Sequence, residues 1–330
     1  MEDLFPILDF LEQHGKKVLA TIIHVEGSAY KKEGSMMLFL EDGTQIGMLS
    51  AGCLEIDLAF RAEEVFEKAV PLTIQYDMSE QTDLAWGQGA GCNGKIDILL
   101  EPLSDELSRN LLKIKDLLNQ QIPVLVFKHL ETHEDLYIPS KGMPFGTWKG
   151  AIPSEFREVK SQLIGSIFQQ QYLPKPRLII FGAGPDARPL VSLASQTGFS
   201  TIVCDWREGF CQREYFQTAD TLIVAYPKDI IKRISLTSDD VVVIMSHHFE
   251  KDQEFLLMLL REKLKYIGVL GPKERTKRLL KGEEVPNWID SPLGLAIGAK
   301  GPEEIAVSVM AKIIQVIRTQ KVSHLWTVPE

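Results

Sequence analysis

Leu178-Ile179-Ile180-Phe181-Gly182-Ala183-Gly184-Pro185-Asp186-Ala187 decides how the second half of this chain folds. Four apolar residues without a polar break read as a strand buried on both faces. The small residues follow at once in the spacing G-x-G-x-x-A. Gly182 permits a tight turn, Gly184 lets a phosphate approach the backbone, and Ala187 lets a helix lie close on the sheet. An anion would rest on the N-terminus of that helix. Pro185 withdraws one amide from such a site. Asp205 ends the next strand, where a carboxylate binds a ribose hydroxyl.

The same rhythm continues beyond this turn. Strands over 178–181, 201–204, 221–225, 241–245 and 267–270 alternate with helices over 185–197, 228–234, 252–264, 273–281 and 302–319. The alternation predicts a Rossmann-like, doubly wound parallel sheet. Tyr172-Leu173-Pro174-Lys175-Pro176 reads as a linker, because its prolines block helix continuation. It separates residues 1–171 from 177–330. The first part reads as a mixed α+β domain with strands over 18–25, 36–40, 45–49, 72–76, 96–100, 123–128 and 135–138. Helices are expected over 4–14, from Ser50 to about residue 69, over 104–120 and over 154–171.

Composition narrows the function classes. The 330 residues carry 36 Lys and Arg against 45 Asp and Glu, a net charge of −9. So acidic a chain argues against nonspecific binding to nucleic acid or a membrane surface. No run of about 18 apolar residues indicates a spanning helix, and the acidic start Met1-Glu2-Asp3-Leu4 is unlike a signal peptide. A cytoplasmic location is therefore expected, with free thiols at Cys53, Cys92, Cys204 and Cys211. None of the four forms a C-x-x-C pair.

Several residues carry chemistry. Cys53 follows Gly52 at an expected helix N-terminus, where the helix dipole favours a thiolate. Cys92 follows Gly91 in Gly87-Gln88-Gly89-Ala90-Gly91-Cys92-Asn93-Gly94, whose glycines open the backbone to a ligand. Either thiol can ligate a soft metal or carry a persulfide. The plainer alternative is a small buried apolar residue, the reading taken for Cys204. Ser28, Lys31 and Lys32 supply hydroxyl and ammonium donors for an anion in a glycine-bounded loop, or simply solvate a connection. Lys273, in Gly271-Pro272-Lys273-Glu274-Arg275, begins a helix after a strand and offers a second anion site or a basic exposed face. Ser246-His247-His248 also ends a strand. A functional His247 is expected there, with a metal site through Asp252 as the alternative.

Taken together, the segments resemble the xanthine dehydrogenase accessory family, XdhC/CoxI-like. The resemblance rests on GSAYKKEGSMML (27–38), SAGCLEIDL (50–58), GQGAGCNGKIDILLEPL (87–103), LIIFGAGPDARPL (178–190), IGVLGPKERTKRLL (267–280) and PLGLAIGAKGPEEIAVSVMA (292–311). It implies an XdhC/CoxI-type N-terminal domain and a protein of purine catabolism that binds molybdopterin-type molybdenum cofactor. It implies support of the cofactor's sulfuration and its insertion into xanthine dehydrogenase, with a cysteine desulfurase as a further partner and a homodimer as the assembly. Cys53 and Cys92 match the family's two cysteine motifs and would meet molybdenum or sulfur in one shared pocket. A different class of function is an NAD(P)- or flavin-dependent oxidoreductase that uses the Gly182–Asp205 fingerprint, and a third is a nucleotide-sensing binding module.

Overall fold

The structure is a computed structural model that describes residues 4–78, 93–150 and 160–319. It divides into two compact units, the first ending at Pro174 and the second beginning at Lys175.

The first unit holds two antiparallel sheets. Helix α1 (Leu4–Asp9) leads into β1 (Lys17–Ser28), β2 (Met36–Leu40), β3 (Gln45–Gly47), α2 (Glu55–Lys68), β4 (Leu72–Asp77) and β5 (Asn93–Pro102). These strands form one sheet in the order β3-β2-β1-β5-β4. Alternation along β1 and β2 explains why both are buried on two faces. Val18, Ala20, Ile22, Met37 and Phe39 pack with Leu58, Ala62 and Val65 of α2. Leu19, Met36, Leu38 and Leu40 point the other way, into a second core.

Helix α3 (Asp105–Asn119) then leads into β6 (Val124–His129), β7 (Asp135–Pro139), β8 (Phe145–Gly146), β9 (Gln162–Ile164) and β10 (Ile167–Tyr172). The second sheet runs β8-β7-β6-β10-β9. Helix α3 starts where Ser104 caps the Leu107 amide at 3.1 Å. Its stripe Leu107, Leu111, Ile114 and Leu118 shares a core with α1, with β1 and β2, and with Val124, Val126, Tyr137 and Tyr172 of the second sheet. Lys128 adds a polar tie. Its buried ammonium meets Glu101 of the first sheet at 2.9 Å and Asp135 of the second at 3.3 Å. Burial disfavours that ammonium, but Glu101 and Asp135 outweigh it, so Lys128 stays protonated well above its ordinary range.

Over the described residues 160–171, the helix expected at 154–171 is not formed. Residues 162–164 and 167–172 are strands, and 151–159 lie outside the described residues. Three glutamines in Ile167-Phe168-Gln169-Gln170-Gln171-Tyr172 hide the period of two. Pairing with β6 over its whole length decides the conformation. The helix expected over 4–14 is also shorter, ending at Asp9.

The second unit is wholly parallel in its sheet. Its strands are β11 (Arg177–Phe181), β12 (Ser200–Asp205), β13 (Thr221–Val224), β14 (Val241–Ile244), β15 (Tyr266–Val269) and β16 (Ile289–Asp290), in the order β13-β12-β11-β14-β15-β16. Helices α4 (Ala187–Gln196) and α8 (Gly301–Thr319) pack on one face through Leu190, Val191, Val309 and Met310. Helices α5 (Pro227–Arg233), α6 (Phe249–Leu259) and α7 (Lys273–Leu279) cover the other through Ile230, Phe255, Leu256 and Leu279. This is the doubly wound sheet expected from the alternation. No helix among the described residues is long and apolar enough to cross a membrane.

Candidate functional site

Glu55 builds the loop that carries Cys53. Its Oε1 accepts the amides of Leu49 at 3.1 Å and Ser50 at 2.6 Å, and its Oε2 accepts the Ser50 hydroxyl. That hydroxyl oxygen in turn accepts the Leu54 amide at 2.9 Å. Leu49 and Leu54 are fully buried and anchor both ends of the loop in the core beneath α2. Between them Ala51 and Gly52 are exposed and Cys53 is half-buried. Gly52 has φ of 98°, and a Cβ there would meet nothing within 4 Å. The helix begins at Glu55 rather than at Ser50. Cys53 therefore sits on a bracket before the helix, not in its first turn.

Ser28 and Lys31 lie at the end of β1 and in the loop that leads to β2. Ser28 is exposed and ends β1 opposite Asn93, and Lys31 is half-buried. A Cβ on Gly94 would stand 2.4 Å from the Glu26 carbonyl, so β1 and β5 close tightly there. Val25 and Ala29 pack against the core that anchors the Cys53 loop. At the far end of this loop the Gly34 carbonyl accepts Gln170 Nε2 at 2.8 Å. Gly91 and Cys92 lie outside the described residues.

In the second unit, strand order reverses between β11 and β14, and the crevice lies outside their carboxyl ends. Gly182 has φ of 118°, and a Cβ would stand 2.5 Å from the Ser246 backbone. Gly182 thus lets the two exit loops touch. A Cβ on Gly184 would approach only the Asp186 carboxylate, at 2.7 Å. Asp186 Oδ2 bonds His247 Nε2 at 2.6 Å, a pair that spans the two loops. His247 holds φ of 60°, uncommon for a residue with a side chain. Its ring is 64% exposed.

Asp205 is fully buried. Its Oδ2 accepts the Ala183 amide and Arg207 Nη2, both at 2.8 Å, and its Oδ1 accepts the amide and Nε of Arg207, both at 2.9 Å. Both oxygens are turned inward, and they brace the glycine turn. Arg207 lies over the rings of Trp206 and Phe210, 4.5 and 4.4 Å from their centroids. The hydrogen bond to Asp205 holds its guanidinium above the usual range. Further along the edge, Asp252 accepts Ser246 Oγ at 2.5 Å and Arg275 Nη2 at 2.6 Å. Lys273 is exposed at the start of α7.

The metal alternative through His247, His248 and Asp252 fails on this geometry. Asp252 is engaged by Ser246 and Arg275, and His248 Nδ1 caps α6 by accepting the Lys251 amide at 3.4 Å. Among the described residues no three His, Cys, Asp or Glu side chains converge on a metal position. Cys204 and Cys211 are buried in the two cores of this unit. Glu55 and Arg207 shape these sites and were not singled out from the sequence. Ser50 reads there only as a helix start, and Arg275 only as part of an anion site or basic face, whereas it pairs with Asp252. The signals of Glu55 and Arg207 are faint: Ser-x4-Glu across the Cys53 loop, and an Asp-x-Arg after β12.

The chain matches the XdhC and CoxI family over residues 10–77, a BH1974-like central domain over 105–173, and the XdhC Rossmann domain over 178–313. It is 43% identical to a probable xanthine dehydrogenase subunit of Bacillus subtilis (strain 168), over 96% of this chain and 98% of that protein. The chain belongs to the XdhC and CoxI family. It is also similar to the molybdenum cofactor insertion chaperone PaoD of Escherichia coli (strain K12), at 24% identity over 91% of this chain and 83% of that one. A crystal structure of a xanthine dehydrogenase (BH1974) from Bacillus halodurans is 46% identical and superposes with a TM-score of 0.90, covering 99% of this chain and 100% of that one. The XdhC and CoxI segment contains the Cys53 bracket, and the XdhC Rossmann segment contains the crevice.

Proposed function

We propose that this XdhC-family chain is an accessory protein that receives molybdenum cofactor, supports its sulfuration and delivers it to xanthine dehydrogenase. The observation that carries the reading is the Cys53 bracket, a half-exposed thiol on a loop held by Glu55 and Ser50. The cargo presents dithiolene sulfur, a soft metal and a phosphate. A thiol is the soft donor in the described site, so Cys53 is assigned to the metal or sulfur end. Cys92 and Gly91, outside the described residues, are assigned there with it, and Gly52 leaves the backbone open beside Cys53. Ser28 and Lys31 supply a hydroxyl and a cation at the end of β1 and in the loop after it. The relatives named for xanthine dehydrogenase and for cofactor insertion support the reading. A cysteine desulfurase as sulfur source, a homodimer, a cytoplasmic setting and a role in purine catabolism belong to the same proposal.

The crevice of the second unit supports a second reading, a nucleotide-binding oxidoreductase or sensor. Gly182, Gly184, His247 and Lys273 border it. With Asp205 turned inward, a ribose diol would lack its usual acceptor. Arg207 has Nε and Nη2 committed to Asp205, so only its Nη1 is left to meet a phosphate of such a ligand.

The deciding experiment is anaerobic purification from cells that synthesise the cofactor, followed by molybdenum and pterin analysis. Both are expected with the wild-type chain, and most of the metal should be lost from Cys53→Ser and Cys92→Ser. Absence of both molybdenum and pterin, with both variants still activating xanthine dehydrogenase fully, would overturn the proposal. NADPH binding that survives this result would favour the second reading.

A further inference from the structure

Helix α2 exposes two large apolar side chains immediately beyond the Cys53 bracket. Ile56 is 80% exposed and Phe60 is 72% exposed. They stand four residues apart, on the face opposite Leu58, Ala62 and Val65, which are buried. Glu63 and Glu67 continue the same stripe at helical spacing, and both are exposed. The stripe is about 16 Å long, at 1.5 Å per residue. Its first half is apolar and its second half anionic. The cations of the helix do not cancel that charge. Arg61 is turned to Asp57 at 3.6 Å and Lys68 to Glu64 at 2.6 Å, while Glu63 and Glu67 form no ion pair among the described residues.

Charge selects the occupant of this face. A second copy laid parallel would set Glu63 and Glu67 against themselves. Laid antiparallel in register, it would press Glu63 and Glu67 onto the apolar Phe60 and Ile56 of its partner, which buries unpaired carboxylates against hydrocarbon. A lipid surface rich in anionic headgroups would be repelled as well. A foreign protein with an apolar groove continued by Lys or Arg satisfies both halves of the stripe.

We infer that the Ile56–Phe60–Glu63–Glu67 face of α2 is the docking surface for the enzyme that receives the cargo. This rests on the function proposed above. Glu55 joins the two sites mechanically: its carboxylate holds the Cys53 loop, and the next residue is Ile56. A partner seated on α2 would therefore lie beside the thiol.

The test measures binding of the full-length chain to cofactor-free xanthine dehydrogenase by calorimetry, with melting temperature as the folding control. Phe60→Ala and Ile56→Ala are expected to keep the wild-type melting temperature. Phe60→Ala should weaken binding about thirtyfold or more, the loss typical of a central aromatic anchor. The double reversal E63K/E67K should weaken binding and reduce its salt dependence. Equal affinity for all variants, or no wild-type binding, would overturn the inference. So would a wild-type dimer in light scattering that Phe60→Ala converts to monomer, since the face would then serve a second copy. Molybdenum and pterin content separates this test from the parent proposal. Bound cofactor with variant-insensitive docking sinks only the docking surface. Variant-sensitive docking without bound cofactor sinks only the cofactor reading.

Discussion

At the scale of single residues, the three cysteines described by the structure fall into two chemical kinds. Burial pushes the Cys204 thiol far above its ordinary value, and it also raises Cys211. The thiolate is the reactive form, so both should resist alkylation while Cys53 reacts. Iodoacetamide at mildly alkaline pH, read by peptide mass mapping, should label Cys53 at least about a hundredfold faster than Cys204 in the native chain. Comparable rates would show that the parallel sheet opens readily or that Cys53 is covered. The tight turn at Gly182 and the place of Asp205 at the end of β12 were legible in their sequence neighbourhoods. The direction in which Asp205 points was not. It depends on the Ala183 amide and on Arg207, two contacts that exist only after the strand and the turn are folded.

At the scale of elements, the parallel sheet was legible and the second sheet of the first unit was less so. Strands such as Val241–Ile244 are apolar throughout because helices cover both their faces, which leaves a continuous signal in the sequence. In β10, by contrast, Gln169 and Gln170 are 1% and 3% exposed, and such burial of glutamine is invisible to a hydrophobicity pattern. The start of α2 was misplaced for a related reason: Ser50 reads as the residue that opens the helix, yet the Glu55 carboxylate reaches back to Leu49 and Ser50 and holds the segment between as a loop. The turn after β11 yields a sharper expectation. Gly182→Ala would place a Cβ 2.5 Å from the Ser246 backbone at a φ of 118°. Strain and overlap together should cost about 3 kcal/mol or more in denaturant unfolding. Gly184→Ala, which meets only a movable carboxylate, should cost less. Equal costs would show that the exit loops can separate freely.

At the scale of the whole molecule, the buried group Lys128–Glu101–Asp135 ties the two antiparallel sheets electrostatically. Burial, against the attraction of Lys128 and aided by Asp135, raises the Glu101 carboxyl above its ordinary 4.5. A folded state with the higher value binds the proton more tightly than the unfolded chain. The associated stability is therefore full below about pH 4.5 and is lost as pH rises through the raised folded value. Glu101→Gln does not titrate, so the melting temperature of wild type relative to this variant should fall from about pH 4.5 toward neutrality. A flat difference would place the Glu101 carboxyl at its solution value. The second unit balances its charges differently. Asp205 and Asp252 each face an arginine, in Arg207 and Arg275, and Asp186 is hydrogen-bonded to His247. On a chain of net charge −9, an approaching anion is repelled by most of the surface. With Asp205 and Asp252 matched by arginines, a negatively charged visitor would meet less repulsion where the strands of this sheet end than beside unpaired carboxylates.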